Sequence, residues 1–281
     1  MLTVVLPLRY ADLSILPSFY SIQSSINSMD NILVGIQDVN NSDQEVVNWL
    51  EQQPKTKVHI NNYCKNLSSN LNNLLMSVKT KYAVRMDGDD LMHPQRLRQL
   101  ERYLDEQEPA IVGQSYIPIY KGRLGRLVDP LVSTIENKMK LLLGVPFAHP
   151  AISLNLEKIG ERPYDENYNY AQDYHLYVDK IESGSFNGYH SKAIYYNVPD
   201  VEAEVLRAKR MSQLASHEAA MFKIWKMLGG LDFTVDQKLI HAIRCHLVTP
   251  EYARLDIDNE TRRYCLNCLR KSELELRRLL S

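Results

Sequence analysis

Three aspartates, Asp87, Asp89 and Asp90, gather about Gly88 where the apolar run Ala83-Val84-Arg85-Met86 stops. Carboxylates this close repel one another, and a divalent cation, a basic partner or a raised pKa relieves them. Gly88 lets the backbone turn sharply there. An acidic turn after a strand is where an open α/β sheet places its ligand, at the carboxyl edge of its strands. The competing reading is structural, because aspartate favours turns and helix caps and a helix is expected to begin near Pro94. A second cluster is weaker: Cys265 and Cys268, with His241 and His246, make half of a zinc site, but the pair lies in a helical pattern with no second Cys-x-x-Cys.

The elements that must position the acidic turn alternate. Thr3-Val4-Val5-Leu6 reads as a buried strand stopped by Pro7, followed by a helix over residues 13–26. Ile32 to Ile36 is the second strand, and Gln37-Asp38 opens a polar turn at its carboxyl end. A helix over 44–52, a strand over 57–60, a helix capped by Ser68 or Ser69 and a strand over 81–86 follow. Strand and helix alternating, with polar turns after the strands, predicts a parallel sheet with crossover helices. Beyond the carboxylates come a helix over 94–106, strands over 110–114 and 116–120, and a Lys121-Gly122 hairpin turn. A helix over 134–143, an extended stretch over 147–153 before and after Pro150, a helix over 170–183 and two short strands within 185–196 complete this part.

From Pro199 the pattern changes to helices over 202–228, 235–248 and 259–280, so a boundary is expected near Asn197. With 33 basic and 34 acidic residues among 281, bulk charge argues against a nucleic-acid partner. No run reaches the roughly 18 apolar residues of a membrane span, and Met1 to Pro7 lacks a signal peptide's basic region and cleavage site, which predicts a cytoplasmic protein. Four cysteines, unevenly spread, suit a reducing compartment rather than a disulfide scaffold.

Several stretches, in order, resemble the inverting glycosyltransferases of family 2, which have the GT-A fold. Val-Val-Leu-Pro7 resembles their first strand, residues 32–38 the strand leading to an acidic pair, and residues 65–72 their third helix start. Met86-Asp87-Gly88-Asp89-Asp90 with Pro94 and Leu97 is similar to their DxD signature. Phe147-Ala148-His149-Pro150, Ile159-Gly160, Tyr164-Asp165 and Ala171-Gln172-Asp173-Tyr174-His175-Leu176 resemble the acceptor-side block. Departures stand at Arg9-Tyr10, Gln37, Asn66 and Gln172. Asn66, in place of glycine, is a residue that tolerates the left-handed conformation. Gln37 leaves Asp38 alone to meet the base or ribose, so the nucleotide stays open.

The resemblance implies an α/β GT-A domain over residues 1–197, with a nucleotide-sugar half to about 115 and an acceptor half from about 116, and a helical extension over 198–281. It implies transfer of a sugar from a nucleotide-diphosphate donor, a UDP-sugar by preference, to a hydroxyl of a glycan or lipid-linked acceptor in cell-surface polysaccharide synthesis. Asp89 and Asp87 would hold Mn²⁺ or Mg²⁺. Asp173 would be the general base. Pro7, Asp38, Asn72, Asp87 and Gly88 would bind the nucleotide sugar, and His149 and Arg85 would meet acceptor or diphosphate, unless Arg85 merely alternates outward from its strand. Two other functions remain open: a sugar nucleotidyltransferase, which would carry a glycine-rich basic loop where Pro7-Leu8-Arg9-Tyr10 stands, and a non-catalytic nucleotide-sugar-binding partner in a membrane-surface assembly. Arg262, Arg263, Arg270, Lys271, Arg277 and Arg278 give the last helix a basic face. That helix could rest on anionic lipid as a peripheral membrane contact, cover the core, or pair with a second subunit in a homodimer.

Overall fold

The computed structural model describes residues 1–27, 30–141 and 144–198, together with 212, 213, 215–221, 223, 224 and 227. The expected helices over 235–248 and 259–280, their basic face and the Cys265, Cys268, His241 and His246 group lie outside the described residues. The elements run β1 (Thr3–Leu8), α1 (Leu16–Gln23), β2 (Asn31–Ile36), α2 (Gln44–Glu51), β3 (Thr56–Ile60), α3 (Leu67–Leu75), β4 (Tyr82–Arg85) and β5 (Leu91–Met92). They continue through α4 (Arg96–Gln107), β6 (Ile111–Tyr120), β7 (Arg123–Leu124), α5 (Thr134–Lys140), β8 (Ile152–Asn155), α6 (Leu156–Ile159), α7 (Gln172–Asp179) and β9 (Phe186–Val198).

The strands form one sheet in the order β3-β2-β1-β4-β8-β6-β9-β5, with β7 paired to β6. Strands β3, β2, β1 and β4 are parallel, joined by crossovers through α1, α2 and α3. The second half is mixed: β8 is antiparallel to both β4 and β6, and β5 is antiparallel to β9. Residues 185–196, expected as two strands, are a single long β9 parallel to β6, and the break between 114 and 116 survives only as a register shift at Ser115. Residues 121–124 do turn into the β6–β7 hairpin.

Both faces of the sheet are covered. Along β1, Leu2, Val4, Leu6 and Leu8 enter the layer with α1, α2 and α4, while Val5 enters the layer with α3, α7 and β8. Strand β4 alternates in the same way, with Val84 and Met86 on the first side and Ala83 on the second. Helical residues beyond the expected boundary join this second layer, where Ala220, Met221 and Ile224 are buried and Lys223 pairs with Asp179.

Pro7 does not end β1, which runs on to Leu8. The Val5 carbonyl accepts from Met86 N at 3.1 Å and the Leu8 carbonyl from Gln37 N at 3.1 Å, so odd residues face β4 and even ones face β2. Pro7 therefore turns its missing N–H toward a neighbour that has already ended at Arg85, and the ladder loses nothing. The cap of α3 is Asn66, not Ser68 or Ser69: its side chain accepts from Ser69 N at 3.0 Å, and Ser69 Oγ accepts from Asn66 N at 3.1 Å. With φ at −154°, Asn66 has no use for a left-handed conformation.

Candidate active site

The carboxyl ends of the parallel strands border a cleft of about 770 Å³, with Pro7, Leu8 and Arg9 at the end of β1, Gln37, Asp38 and Asn40 after β2, and Asn62, Cys64, Lys65, Asn66 and Leu67 before and into α3. Asn169 to Gln172, leading into α7, close the opposite side. Asp38 stands on this wall as the cap of a short turn. Its carboxylate accepts from Asn41 N at 3.2 Å and Asn41 Nδ2 at 2.7 Å, so the structural use of Asp38 is real and its remaining lone pairs face a polar recess. Arg9, Asn62, Lys65 and Asn66 join it there. No motif marks them as a group; they meet only because separate strand ends do.

Asp87, Asp89 and Asp90 offer carboxylate oxygens that all lie within 4.8 Å of one another, with Asp89 exposed and Asp90 buried. Oxygen donors of this charge and spacing fit a hard divalent ion such as Mg²⁺ or Mn²⁺. The turn lies beside the cleft, packed through Gly88 on Leu8, which borders it. A β-carbon there would lie 2.5 Å from Leu8 Cδ2, so glycine serves close packing on the cleft wall.

Arg85 does not alternate outward, because helices cover both faces of the sheet and leave no outward side. It follows Ala83 into the layer of α7 at 2 % exposure. There it grips Asp87 by two parallel bonds, Nη1 to Oδ2 at 3.1 Å and Nη2 to Oδ1 at 2.7 Å. Its charge also reaches Asp173, His149 and Tyr164. Asp173 occupies the first turn of α7, entered through Ala171 in the left-handed conformation at φ 53°. Burial pushes its carboxyl above the ordinary range, and hydrogen bonding from Tyr174 N and the charge of Arg85 oppose that rise.

His149 begins a short 3-10 turn, not an extended stretch, and β8 starts only at Ile152. The turn is clamped from below, since Arg96 Nη2 donates to the Pro150 carbonyl at 3.3 Å. His149 Nε2 pairs with the Tyr164 hydroxyl at 2.8 Å. Burial, aided by Arg85, holds its pKa well below the usual histidine value, so the ring is neutral at physiological pH. Arg96 itself is fully buried, donating also to Gln114 Oε1 at 3.0 Å and the Arg85 carbonyl at 3.0 Å. Burial pulls its guanidinium down to about 9 and the Asp90 charge counteracts this, which leaves it a cation at neutral pH beneath the acidic turn. In the sequence Arg96 is one more charge on an amphipathic helix, and no local signal sets it apart.

Asn72, expected to bind the nucleotide sugar, has a structural use. It is 1 % exposed, donates to the Tyr164 carbonyl and Glu166 Oε1, both at 2.8 Å, and accepts from Tyr164 N at 3.0 Å. An amide used on both ends ties α3 to the 164–166 segment.

The family model described as glycosyl transferase family 2 matches residues 14–161, more than half of the chain. The chain belongs to glycosyl transferase family 2. No curated protein matches its sequence. Among solved structures, residues 1–349 of TarS from S. aureus align with a TM-score of 0.62 at 13 % identity, covering 98 % of this chain and 80 % of that one. The same TarS fragment in complex with UDP-GlcNAc aligns at 0.64, again with 13 % identity and with 98 % and 81 % covered. The mannosyltransferase PcManGT from Pyrobaculum calidifontis, in complex with GDP-Man and Mn²⁺, aligns at 0.60 with 14 % identity, covering 98 % and 86 %. At such identities the likeness establishes the fold, the mixed α/β GT-A sheet with flanking helices. In this family 2 chain, the described residues include no helix long and apolar enough to cross a membrane.

Proposed function

We propose that this family 2 transferase moves a sugar, with inversion, from a nucleotide-diphosphate sugar to a hydroxyl of a glycan or lipid-linked acceptor in surface-polysaccharide synthesis. The observation that carries the reading is the placement of the Asp87 to Asp90 turn and Asp173 on elements that meet at one Arg85. Inversion needs a base on one side of the anomeric carbon and a stabilised diphosphate on the other. Solved neighbours of the same fold bind UDP-GlcNAc and GDP-Man, the latter with Mn²⁺, which favours a donor of this class and a divalent ion.

In this reading Asp89 and Asp90 are the metal ligands. Asp87, with both oxygens engaged by Arg85, shares through its remaining lone pairs or orients donor hydroxyls. A divalent ion held there would neutralise the departing diphosphate. Pro7, Asp38 and the neighbouring amides shape the nucleotide recess, and Gly88 permits the close approach of the turn to it. Asp173 takes the acceptor's proton. Arg85 positions Asp87 and keeps Asp173 ionised, so it is a positioning residue and not a diphosphate ligand. Neutral His149 orients Tyr164 beneath the base.

Thermal unfolding with a panel of nucleotide sugars, with and without Mn²⁺, tests the donor class. A true donor at a hundredfold its Kd stabilises by about 2.7 kcal/mol, and the reading predicts that gain only with the divalent ion present. Equal shifts with and without the ion, or none with any nucleotide sugar, would refute it. For Arg85, the pH profile is diagnostic. Since its charge lowers the Asp173 pKa, Arg85→Met should move the acid limb of transfer to higher pH, whereas Arg85→Lys should largely keep it in place. Identical limbs in all three proteins would remove Arg85 from this role.

A further inference from the structure

Seven of the fourteen exposed large apolar side chains among the described residues fall within 120–135: Tyr120, Leu124, Leu127, Val128, Leu131, Val132 and Ile135. Interleaved with them are exposed Lys121, Arg123 and Arg126, against a single acidic residue, Asp129, which is engaged by Ser115 Oγ. In a chain whose overall charge is −1, this stretch is locally basic and apolar together. Such a patch exceeds the scatter of single apolar residues normal on a surface.

The patch is presented by a built structure. Gly125 N donates to the Pro118 carbonyl at 2.7 Å, and Tyr116 and Val128 exchange backbone bonds at 3.0 and 2.8 Å. The Pro130 carbonyl meets His190 Nε2 at 2.7 Å. Gly188 of β9 packs so tightly on the Leu131 carbonyl that a β-carbon would lie 1.9 Å from it. The backbone of 125–131 is thereby committed inward, and the leucines and valines are left facing out. The patch also flanks the acidic turn. At its base, Tyr116 meets Tyr196 edge to face at 5.9 Å. Tyr195, the neighbour of Tyr196, pairs in register with Leu91, the residue after Asp90.

We propose that the β6–β7 hairpin and the segment following it, residues 120–135, dock this protein on an anionic lipid bilayer, with apolar side chains entering the interface and Lys121, Arg123 and Arg126 meeting lipid phosphates. Apolar insertion flanked by basic side chains is the chemistry of interfacial membrane binding. The contact is distinct from the basic C-terminal helix considered from sequence. Docking on this side turns the edge bearing the acidic turn toward the membrane surface, where a lipid-carried acceptor would sit; that last link rests on the proposed function, whereas the docking does not.

The full chain is mixed with vesicles of phosphatidylcholine alone, or of phosphatidylcholine and phosphatidylglycerol in equal parts, and the bound fraction is read by co-sedimentation. Binding is expected to the anionic vesicles and to weaken with added salt. Arg123→Glu with Arg126→Glu should lower the partition at least about 30-fold, at roughly fivefold for each basic residue lost. Leu124→Asp with Leu127→Asp should abolish it, both residues being exposed enough that folding is spared. Metal-dependent donor hydrolysis should persist in both variants, so a failure of docking and a failure of the transferase reading are separable. Equal binding to both vesicle types, no binding by the wild type, or unaltered binding by the variants would overturn the proposal. So would a wild-type dimer in vesicle-free sedimentation that the leucine variant converts to monomer, since the patch would then belong to a second copy.

Discussion

Asp173→Asn is expected to lower sugar transfer by roughly 10²–10⁴-fold, the contribution of a positioned general base, while leaving nucleotide-sugar affinity intact. The substitution keeps the side chain's shape and its acceptance from Tyr174 N at 2.9 Å, so the first turn of α7 is undisturbed. What it removes is basicity. The wild-type profile should show the same chemistry: burial raises the Asp173 pKa, the protonated carboxyl cannot take the acceptor's proton, and activity should fall on acidification within a range above that of an ordinary carboxylate. Single-turnover transfer assays and donor titration by calorimetry read the two effects separately. Unchanged transfer in Asp173→Asn would move the base elsewhere.

Asp89→Ala should abolish the response to Mn²⁺ or Mg²⁺ and reduce transfer by about 10³-fold, a loss of several kcal/mol of charge stabilisation at the diphosphate. Asp89 is the informative member of the cluster because it is exposed, and surface substitutions alter stability by only about 0.5 kcal/mol. An unchanged thermal unfolding midpoint in that variant separates lost activity from lost folding, a separation harder to make at buried Asp90. Metal titration of donor hydrolysis is the measurement. Full metal-dependent release of nucleotide from Asp89→Ala would rule out the assignment.

Asp173 and Asp89 are both legible in the amino-acid order, and for the same reason. Each lies in a local motif: Asp89 in an acidic turn at a strand end, and Asp173 at a helix start that resembles the family's acceptor-side block. Arg85, Arg96 and Asn72 lie in equally local patterns, yet those patterns do not reveal what they touch. Arg96 meets the Pro150 carbonyl 54 positions away, and Asn72 meets Tyr164 across 92. Nothing in a helical period tells which charged residue will be drawn under a turn from another part of the chain. The β6–β7 hairpin divides similarly: its Lys121-Gly122 turn is legible, whereas the outward apolar face depends on Gly188 holding the Leu131 backbone.

The alternation of strands and helices, the carboxyl-edge acidic turn and the family are thus written in the residue order, because hydrophobic period, turn residues and ordered motifs are properties of neighbouring positions. Which way Arg85 points, and what it grips, is settled only by packing. A strand buried on both faces carries no inside-outside signal, so it takes the arrival of α7 on one side of β4 to make that guanidinium the link between the acidic turn and Asp173.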